Sequence, residues 1–338
     1  MTPARLWLQV FMAGFAIIAA LLIVTLITPI PYGDLSRIGQ VSEYEFGWRR
    51  EPPHVDHALL QATPIPEADI LVIGDSFSAT HRWQSVLKRA GHRFATLYWS
   101  DFHETLCDDF DAWLDRAGFK GKLVVIESVE RLLAGRLAST RQCTAMRHPP
   151  TSRPGPLFES PEHVPGFALN GSAKLTSGYI TCRNTRAAKQ SAGPVMLGPQ
   201  TWSRPVPDGC AMFSHRLCDQ ALFFKDDDDN GELTTAHVEQ MRAFSKAHSA
   251  RSIMWMVIPN KTTTYLAPDH SKEFVTAFAE AGLGPDLFAF AQQQKTRIQD
   301  FYFPNDTHLS MHGQLALGEA MLLAVVAAAA DPIENEDF

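Results

Sequence analysis

The chain has 338 residues, 45% of them hydrophobic, and a formal net charge of -7 at pH 7. This content excludes a wholly disordered polypeptide and allows one sizeable α/β domain with an insertion, or two small domains. The negative balance, with lysines and arginines scattered rather than gathered into a stripe, argues against a nucleic-acid partner and toward a neutral or carbohydrate-like one.

From Leu6 to Gly33 no side chain is charged, and Leu, Ile, Val, Ala and Phe dominate. A run of that length spans a bilayer as a helix. It continues past Ala19-Ala20 to Ile30, without the short core of a cleaved signal peptide, so residues 1–33 are expected to form an uncleaved signal anchor. Arg5 precedes the run, while Asp34, Arg37, Glu43 and Glu45 follow it. That bias puts the N-terminus in the cytoplasm and the remainder outside.

Residues 34–66 carry several prolines and no sustained period, which predicts a tether. The folded part is expected from Glu67. Ile70-Leu71-Val72-Ile73 is an apolar, β-branched run stopped by Gly74-Asp75-Ser76, so it reads as a buried parallel strand. Trp83, Val86, Leu87 and Ala90 then share a helical face, with Gly91 as the stop. A strand over Phe94–Trp99, a helical pattern through Leu106, Phe110, Trp113 and Leu114, and an apolar strand over Leu123–Ile126 complete a β-α-β-α-β plan.

Between residues 147 and 230 the period is lost and Pro, Gly, Ser and Thr accumulate. A structureless loop of that length is not expected in a compact domain. The segment reads as an insertion, a small β-rich cap with short strands such as Tyr179-Ile180-Thr181 and Val195-Met196-Leu197. Cys107, Cys143, Cys182, Cys210 and Cys218 fit an oxidising compartment, and two bridges with one cysteine left over would staple the irregular region. No C-x-x-C pair occurs, so a thiolate zinc site is not expected. The α/β pattern resumes with a helix over 234–247, the strand Ile253–Ile258, a helix near 273–281 and a last helix over 311–329. Residues 332–338 form an acidic tail, expected to be frayed.

Asp226, Asp228, Asn230 and Gly231 match the first half of a calcium-loop spacing, but the twelfth position is His237 rather than a bidentate glutamate. The acidic run therefore reads as a solvated turn complementing the dipole of the next helix. His54, His57, His81, His92 and His103 show no ligand spacing and read as surface or satisfied core residues. No metal and no cofactor is expected.

Two segments carry chemistry. Gly74-Asp75-Ser76 delivers a serine at the carboxyl end of the first strand, where open α/β sheets bind ligands. Asp306-Thr307-His308 places a carboxylate two residues before an imidazole, just ahead of the last helix. A serine hydroxyl needs such a base to attack a carbonyl. Each segment also has a plain structural reading, a helix cap and an Asx turn respectively.

In combination they resemble the SGNH (GDSL-like) hydrolase superfamily, over residues 67–145 and 235–330. The resemblance implies a three-layer α/β/α domain with a parallel sheet, built from residues 67–146 and 231–331 and interrupted by an insertion at 147–230. It also implies Ser76 as nucleophile, His308 as general base and Asp306 as the residue orienting the imidazole. Most of that superfamily spaces the acid three residues before the histidine, where this chain has Asn305. The Asp-x-His spacing is similar to that of periplasmic alginate O-acetyltransferases and related membrane-tethered SGNH proteins, although there it precedes the serine block. Val257-Ile258-Pro259-Asn260-Lys261-Thr262-Thr263-Thr264-Tyr265 resembles a Pro-x-Lys segment of that group, which marks Lys261 and Tyr265 as candidate substrate contacts. A strand end followed by a turn explains the same residues.

No Gly-x-Asn-Asp block follows the Leu123–Ile126 strand; Glu127-Ser128-Val129-Glu130-Arg131 stands there. The Ser76 backbone N–H is one candidate oxyanion donor and a residue of the Ser100-Asp101 loop or Arg131 the other, with Arg131 equally readable as an ion-pair residue. The resemblance implies a single-pass protein of the bacterial inner membrane with its catalytic domain in the periplasm. That domain would be a serine O-acetyltransferase acting on a polysaccharide acceptor, supplied by a membrane protein that delivers acyl groups. A carbohydrate esterase, or an inactive glycan-binding or scaffold subunit of a polysaccharide-export complex, are the alternatives.

Overall fold

A computed structural model describes residues 2–330. The expected acidic tail at 332–338 lies outside the described residues. In chain order the strands are β1 (Ile70–Gly74), β2 (Phe94–Tyr98), β3 (Leu123–Val129), β4 (Val195–Leu197), β5 (Thr201–Pro205), β6 (Gln220–Phe224) and β7 (Ser252–Ile258). The described chain divides into two units: residues 2–50, 164–225 and 303–307 form one, and residues 51–163, 226–302 and 308–330 the other.

The second unit holds a four-stranded, all-parallel sheet in the order β2-β1-β3-β7. Its strands are near-continuous apolar runs because both faces are covered. Leu71, Ile73, Leu97, Val124, Ile126, Trp255 and Val257 alternate onto one face. They pack there against Phe110, Trp113 and Leu114 of the helix Phe110–Arg116, Leu133 and Leu137 of Glu130–Thr140, and Met241 and Phe244 of Thr235–Ala247. On the side of β2 that carries Phe94, the ring of His81 meets the Phe94 ring at 5.3 Å, and the helix Arg82–Arg89 follows directly.

That helix packs against the last one, Met311–Ala330. The two approach so closely that a Cβ on Gly318 would lie 2.5 Å from the Trp83 carbonyl oxygen. Met311–Ala330 is apolar enough to resemble a membrane span, yet Met311, Leu317, Met321 and Val325 are buried in this unit, as a core helix requires. Cys107–Cys143 bridges this unit, not the irregular region.

The first unit begins with the helix Pro3–Leu26, 24 residues long, whose most apolar 18-residue stretch has a mean hydropathy of 2.4 and is not buried. By length and composition it can cross a membrane. The following residues are not a free tether. Leu35, Val41 and Phe46, on and between the short helices Asp34–Gly39 and Glu43–Phe46, form a core with Ala188, Leu197 and Leu222. A few well-placed apolar side chains suffice to anchor a segment whose prolines conceal any period.

The insertion is also more than a β-rich cap. β4, β5 and β6 form an antiparallel sheet, and Val195-Met196-Leu197 is its edge strand. Tyr179-Ile180-Thr181, by contrast, lies inside the helix Ser177–Gln190. This helix buries only Asn184, Thr185 and Ala188, so its sequence carries no apolar stripe at helical spacing. Cys210–Cys218 closes a short loop in this unit, and Cys182 is free and exposed.

Candidate active site

The order β2-β1-β3 means that the chain turns to one side of β1 to make β2, then crosses over to the other side to make β3. The crevice at the carboxyl ends of β1 and β3 is therefore a topological switch point, where doubly wound sheets bind ligands. Gly74 ends β1 there. A Cβ at this position would lie 2.5 Å from Ser78 Oγ and 3.0 Å from Glu127 Oε2, so only glycine lets the chain turn so close to β3.

Residues 76–80 form successive tight turns, with Ser78 N–H donating to the Asp75 carbonyl and Ala79 N–H to that of Ser76. Asp75 fixes them. Its Oδ1 accepts the Phe77 N–H at 3.0 Å, an Asx turn, and its Oδ2 accepts the Val129 N–H at 3.1 Å and Arg136 Nη1 at 2.9 Å. One carboxylate thus ties the end of β1 to the end of β3.

Glu127 completes this support from β3. Its Oε2 accepts the Asp75 N–H at 2.7 Å and the Ser78 hydroxyl at 3.0 Å. Arg136 also donates to Ser128 Oγ at 2.7 Å, and its guanidinium lies 4.7 Å from the Trp99 ring centroid. Burial works against the Asp75 charge, but Arg136 and the hydrogen bonds outweigh it and hold this carboxyl below its ordinary value. Burial, reinforced by the Asp75 charge, pushes Glu127 well above the usual carboxylate range.

Ser76 itself is half-buried, and its Oγ lies 2.7 Å from His308 Nε2. The Phe77 ring packs on the imidazole, with centroids 4.9 Å apart. His308 is placed by an antiparallel bridge between Tyr302 and Leu309, reinforced by the Ser310 N–H donating to the Phe301 carbonyl at 3.0 Å. The helix Met311–Ala330 starts immediately beyond. Among the described residues nothing accepts a hydrogen bond from the Ser76 N–H, which leaves it available as a donor to a developing oxyanion.

Asp306 belongs to the first unit, where its Oδ2 accepts the Asp34 N–H at 2.9 Å. Asp34 in turn accepts the Thr307 N–H at 2.9 Å and the Thr307 hydroxyl at 2.6 Å. This reciprocal clamp fixes the Asp306-Thr307 backbone, and sequence reasoning missed it by assigning Asp34 to a tether. Asn305 is fully buried, and its Nδ2 donates to Glu43 Oε2 at 2.7 Å. Burial raises the Glu43 carboxyl above its ordinary value even though Ser36, Gly33, Tyr32 and Asn305 donate to it.

The other predicted contacts sit in a structural network. Arg131 Nη1 pairs with Asp227 at 3.3 Å and reaches Asn260 Oδ1 at 3.5 Å. Asp227 is buried and also accepts the Thr262 hydroxyl at 3.0 Å, so the acidic run at 226–229 is not the purely solvated turn its composition suggested. Burial raises the Asp227 carboxyl, with Arg131 acting in the opposite direction. Lys261 and Tyr265 lie on the short helix Lys261–Tyr265 and are buried, 1% and 6% exposed, rather than displayed to a ligand. The Tyr265 hydroxyl accepts the Tyr302 N–H at 3.3 Å, which ties it to the bridge that positions His308.

Arg131→Met is accordingly expected to destabilise the protein by about 3 kcal/mol, because it strands the buried Asp227 charge. Adding Asp227→Leu should restore part of that loss in thermal unfolding. An unchanged melting temperature for Arg131→Met, with impaired turnover, would instead return Arg131 to the oxyanion site.

Of the remaining histidines, His81 is a satisfied core residue. Its Nδ1 and Nε2 contact the Leu60 carbonyl and the Tyr98 hydroxyl at 2.8 and 2.9 Å, and burial lowers its pKa to about 4. A cavity of about 720 Å³, lined by His54, His57, Arg82, Ser160 and His163 among others, opens beside the helix that follows the serine turn. Comparison of the chain with protein-family models, with curated proteins and with solved structures gives no match.

Proposed function

We propose that this chain is a membrane-anchored serine acyltransferase of SGNH type, which moves an acetyl group onto a hydroxyl of a cell-surface or secreted polysaccharide. The observation that carries the reading is the 2.7 Å contact between Ser76 Oγ and His308 Nε2 at the switch point of a parallel sheet. A serine and an imidazole in direct hydrogen-bond contact at a ligand-binding edge are what nucleophilic acyl transfer requires.

In this reading Ser76 Oγ attacks the donor's carbonyl carbon while its proton passes to His308 Nε2. The oxyanion forms against the Ser76 N–H. His308 then protonates the departing group, leaving an acyl ester on Ser76. An incoming sugar hydroxyl gives its proton to His308 and attacks the acyl carbon; the bond from that carbon to Ser76 Oγ then breaks, and His308 returns the proton to Ser76 Oγ. Asp306, two residues before His308, orients the ring and stabilises its charged form. Water in place of the sugar hydroxyl would make the same site an esterase. The apolar Pro3–Leu26 helix supports the anchor, and Arg5 in its first turn, ahead of the uncharged run from Leu6, supports a periplasmic domain in a bacterial inner membrane. An acyl donor then has to cross that membrane, which calls for a partner protein that delivers it.

The test is to incubate the full chain in nanodiscs with a fluorophosphonate, and separately with a chromogenic acetyl ester and an oligosaccharide. Expected results are a phosphonylated Ser76 peptide and an acetylated sugar by mass spectrometry. Acetate release without acetylated sugar would select the esterase. An absence of both adduct and turnover would remove the enzymatic reading and leave the glycan-binding alternative.

A further inference from the structure

The first unit displays large apolar side chains where an aqueous surface has no use for them. Phe167, Leu169, Leu175 and Tyr179 are 80%, 62%, 62% and 71% exposed, while the same unit buries Leu35 and Phe46 completely. Single exposed apolar residues are ordinary; four within one short stretch mark an interaction surface.

The place of this stretch is fixed by the apolar helix. The Asn170 N–H donates to the Leu26 carbonyl at 2.7 Å, capping the last turn of Pro3–Leu26, and Asn170 Nδ2 approaches the Pro29 carbonyl at 3.4 Å. A few residues on, Gly178 comes so near Thr28 that an added Cβ would lie 3.0 Å from its Oγ1. A 24-residue helix is about 36 Å long, against a hydrocarbon core of about 30 Å. Its last turn therefore lies at the boundary between acyl chains and headgroups, and the capping contact holds Asn170 at that depth. Lys174, Arg183 and Arg186 are exposed on the same stretch and on the helix Ser177–Gln190. Aromatic and aliphatic side chains flanked by basic ones are the composition of an interfacial element facing anionic lipid.

We infer that residues 167–186 form a second membrane contact, lying in the headgroup boundary of the leaflet from which Pro3–Leu26 emerges. Phe167, Leu169, Leu175 and Tyr179 enter the acyl boundary, and Lys174, Arg183 and Arg186 meet anionic headgroups. This inference rests on the reading of Pro3–Leu26 as a membrane span. Its consequence is that the first unit is seated on the bilayer rather than swinging from a single anchor.

The experiment uses the full chain in nanodiscs of phosphatidylcholine and phosphatidylglycerol. Cys182→Ser removes the free thiol, and Phe167→Cys or Ile17→Cys then takes a single environment-sensitive fluorophore. A nitroxide on the upper acyl chain is expected to quench the Phe167→Cys probe roughly twofold, with little quenching by aqueous iodide. A nitroxide deep in the acyl chain should quench the Ile17→Cys probe. Deep quenching at position 17 with free iodide access at position 167 overturns the interfacial contact while the anchor stands. Shielding of position 167 from both iodide and nitroxide also overturns it, because a protein then covers the patch. Absence of lipid quenching at position 17 removes the anchor, and this inference with it.

Discussion

His308→Ala is expected to lower acetyl-ester turnover roughly ten-thousand-fold or more, and Ser76→Ala to lower it by a similar factor. The imidazole Nε2 is the hydrogen-bond partner seen at the Ser76 hydroxyl, at 2.7 Å, and an alcohol without a base is a poor nucleophile at neutral pH. The two residues act on one proton, so Ser76→Ala/His308→Ala should be no slower than the worse single variant. Asp306→Asn should cost roughly a thousandfold to ten-thousandfold, because it affects only the orientation and charge of the ring. Initial rates with a chromogenic ester, on variants whose melting temperatures match the parent, measure all four. Additive losses in the double variant would show that Ser76 and His308 do not share a step, and the acyl-serine mechanism would fall.

The parallel sheet was legible because strands buried on both faces read as unbroken apolar runs, and the expected Phe94–Trp99 strand differs from β2 by one residue. β3 runs on past the expected Ile126 to Val129 because Glu127 and Ser128 are polar yet fully buried. A strand whose polar residues are satisfied by partners distant in sequence gives no signal of its own. The same reason hid the support of the serine turn. Arg136 lies 61 positions from the Asp75 it pairs with, and Asp34 lies 273 from the Thr307 it holds. Ser76 and His308 could be singled out because each sits at an element boundary with a compositional signature, Gly-Asp-Ser and Asp-x-His. The helix Ser177–Gln190 could not, since its buried residues are Asn184, Thr185 and Ala188. Residues 34–50 failed for the opposite reason: their apolar side chains are few, and proline spacing dominated the reading.

Glu127→Gln is expected to stabilise the protein near pH 8 and to change little near pH 4. The cluster under the serine turn holds Asp75 ionised against Arg136, which balances one buried charge with one; the other carboxylate beside Arg136, Glu104 at 3.4 Å, is half exposed. A second carboxylate at Glu127 would leave a net negative charge among fully buried groups, and its Oε1 has no hydrogen-bond partner to solvate it. The folded state therefore keeps the Glu127 proton above the pH at which an unfolded glutamate, with pKa about 4.3, releases it. A folded pKa above the unfolded one means that stability is fully present below about pH 4.3 and is lost as pH rises toward the folded value. The loss is on the order of 1 kcal/mol for each pH unit crossed. Glutamine cannot ionise, keeps a carbonyl oxygen for the Asp75 N–H and the Ser78 hydroxyl, and removes that slope. Asp75 has the opposite sign: its depressed pKa contributes stability above the unfolded value near 3.9, lost as pH falls through the folded one. Asp75→Asn should therefore destabilise at neutral pH by about 3 kcal/mol, since it removes the buried countercharge of Arg136 and leaves only the half-exposed Glu104 carboxylate, 3.4 Å away. Melting temperatures of the two variants and the parent from pH 4 to 9 separate these effects. A parent curve parallel to that of Glu127→Gln across the range would mean that Glu127 is ionised in the fold, and that Arg136 neutralises both carboxylates.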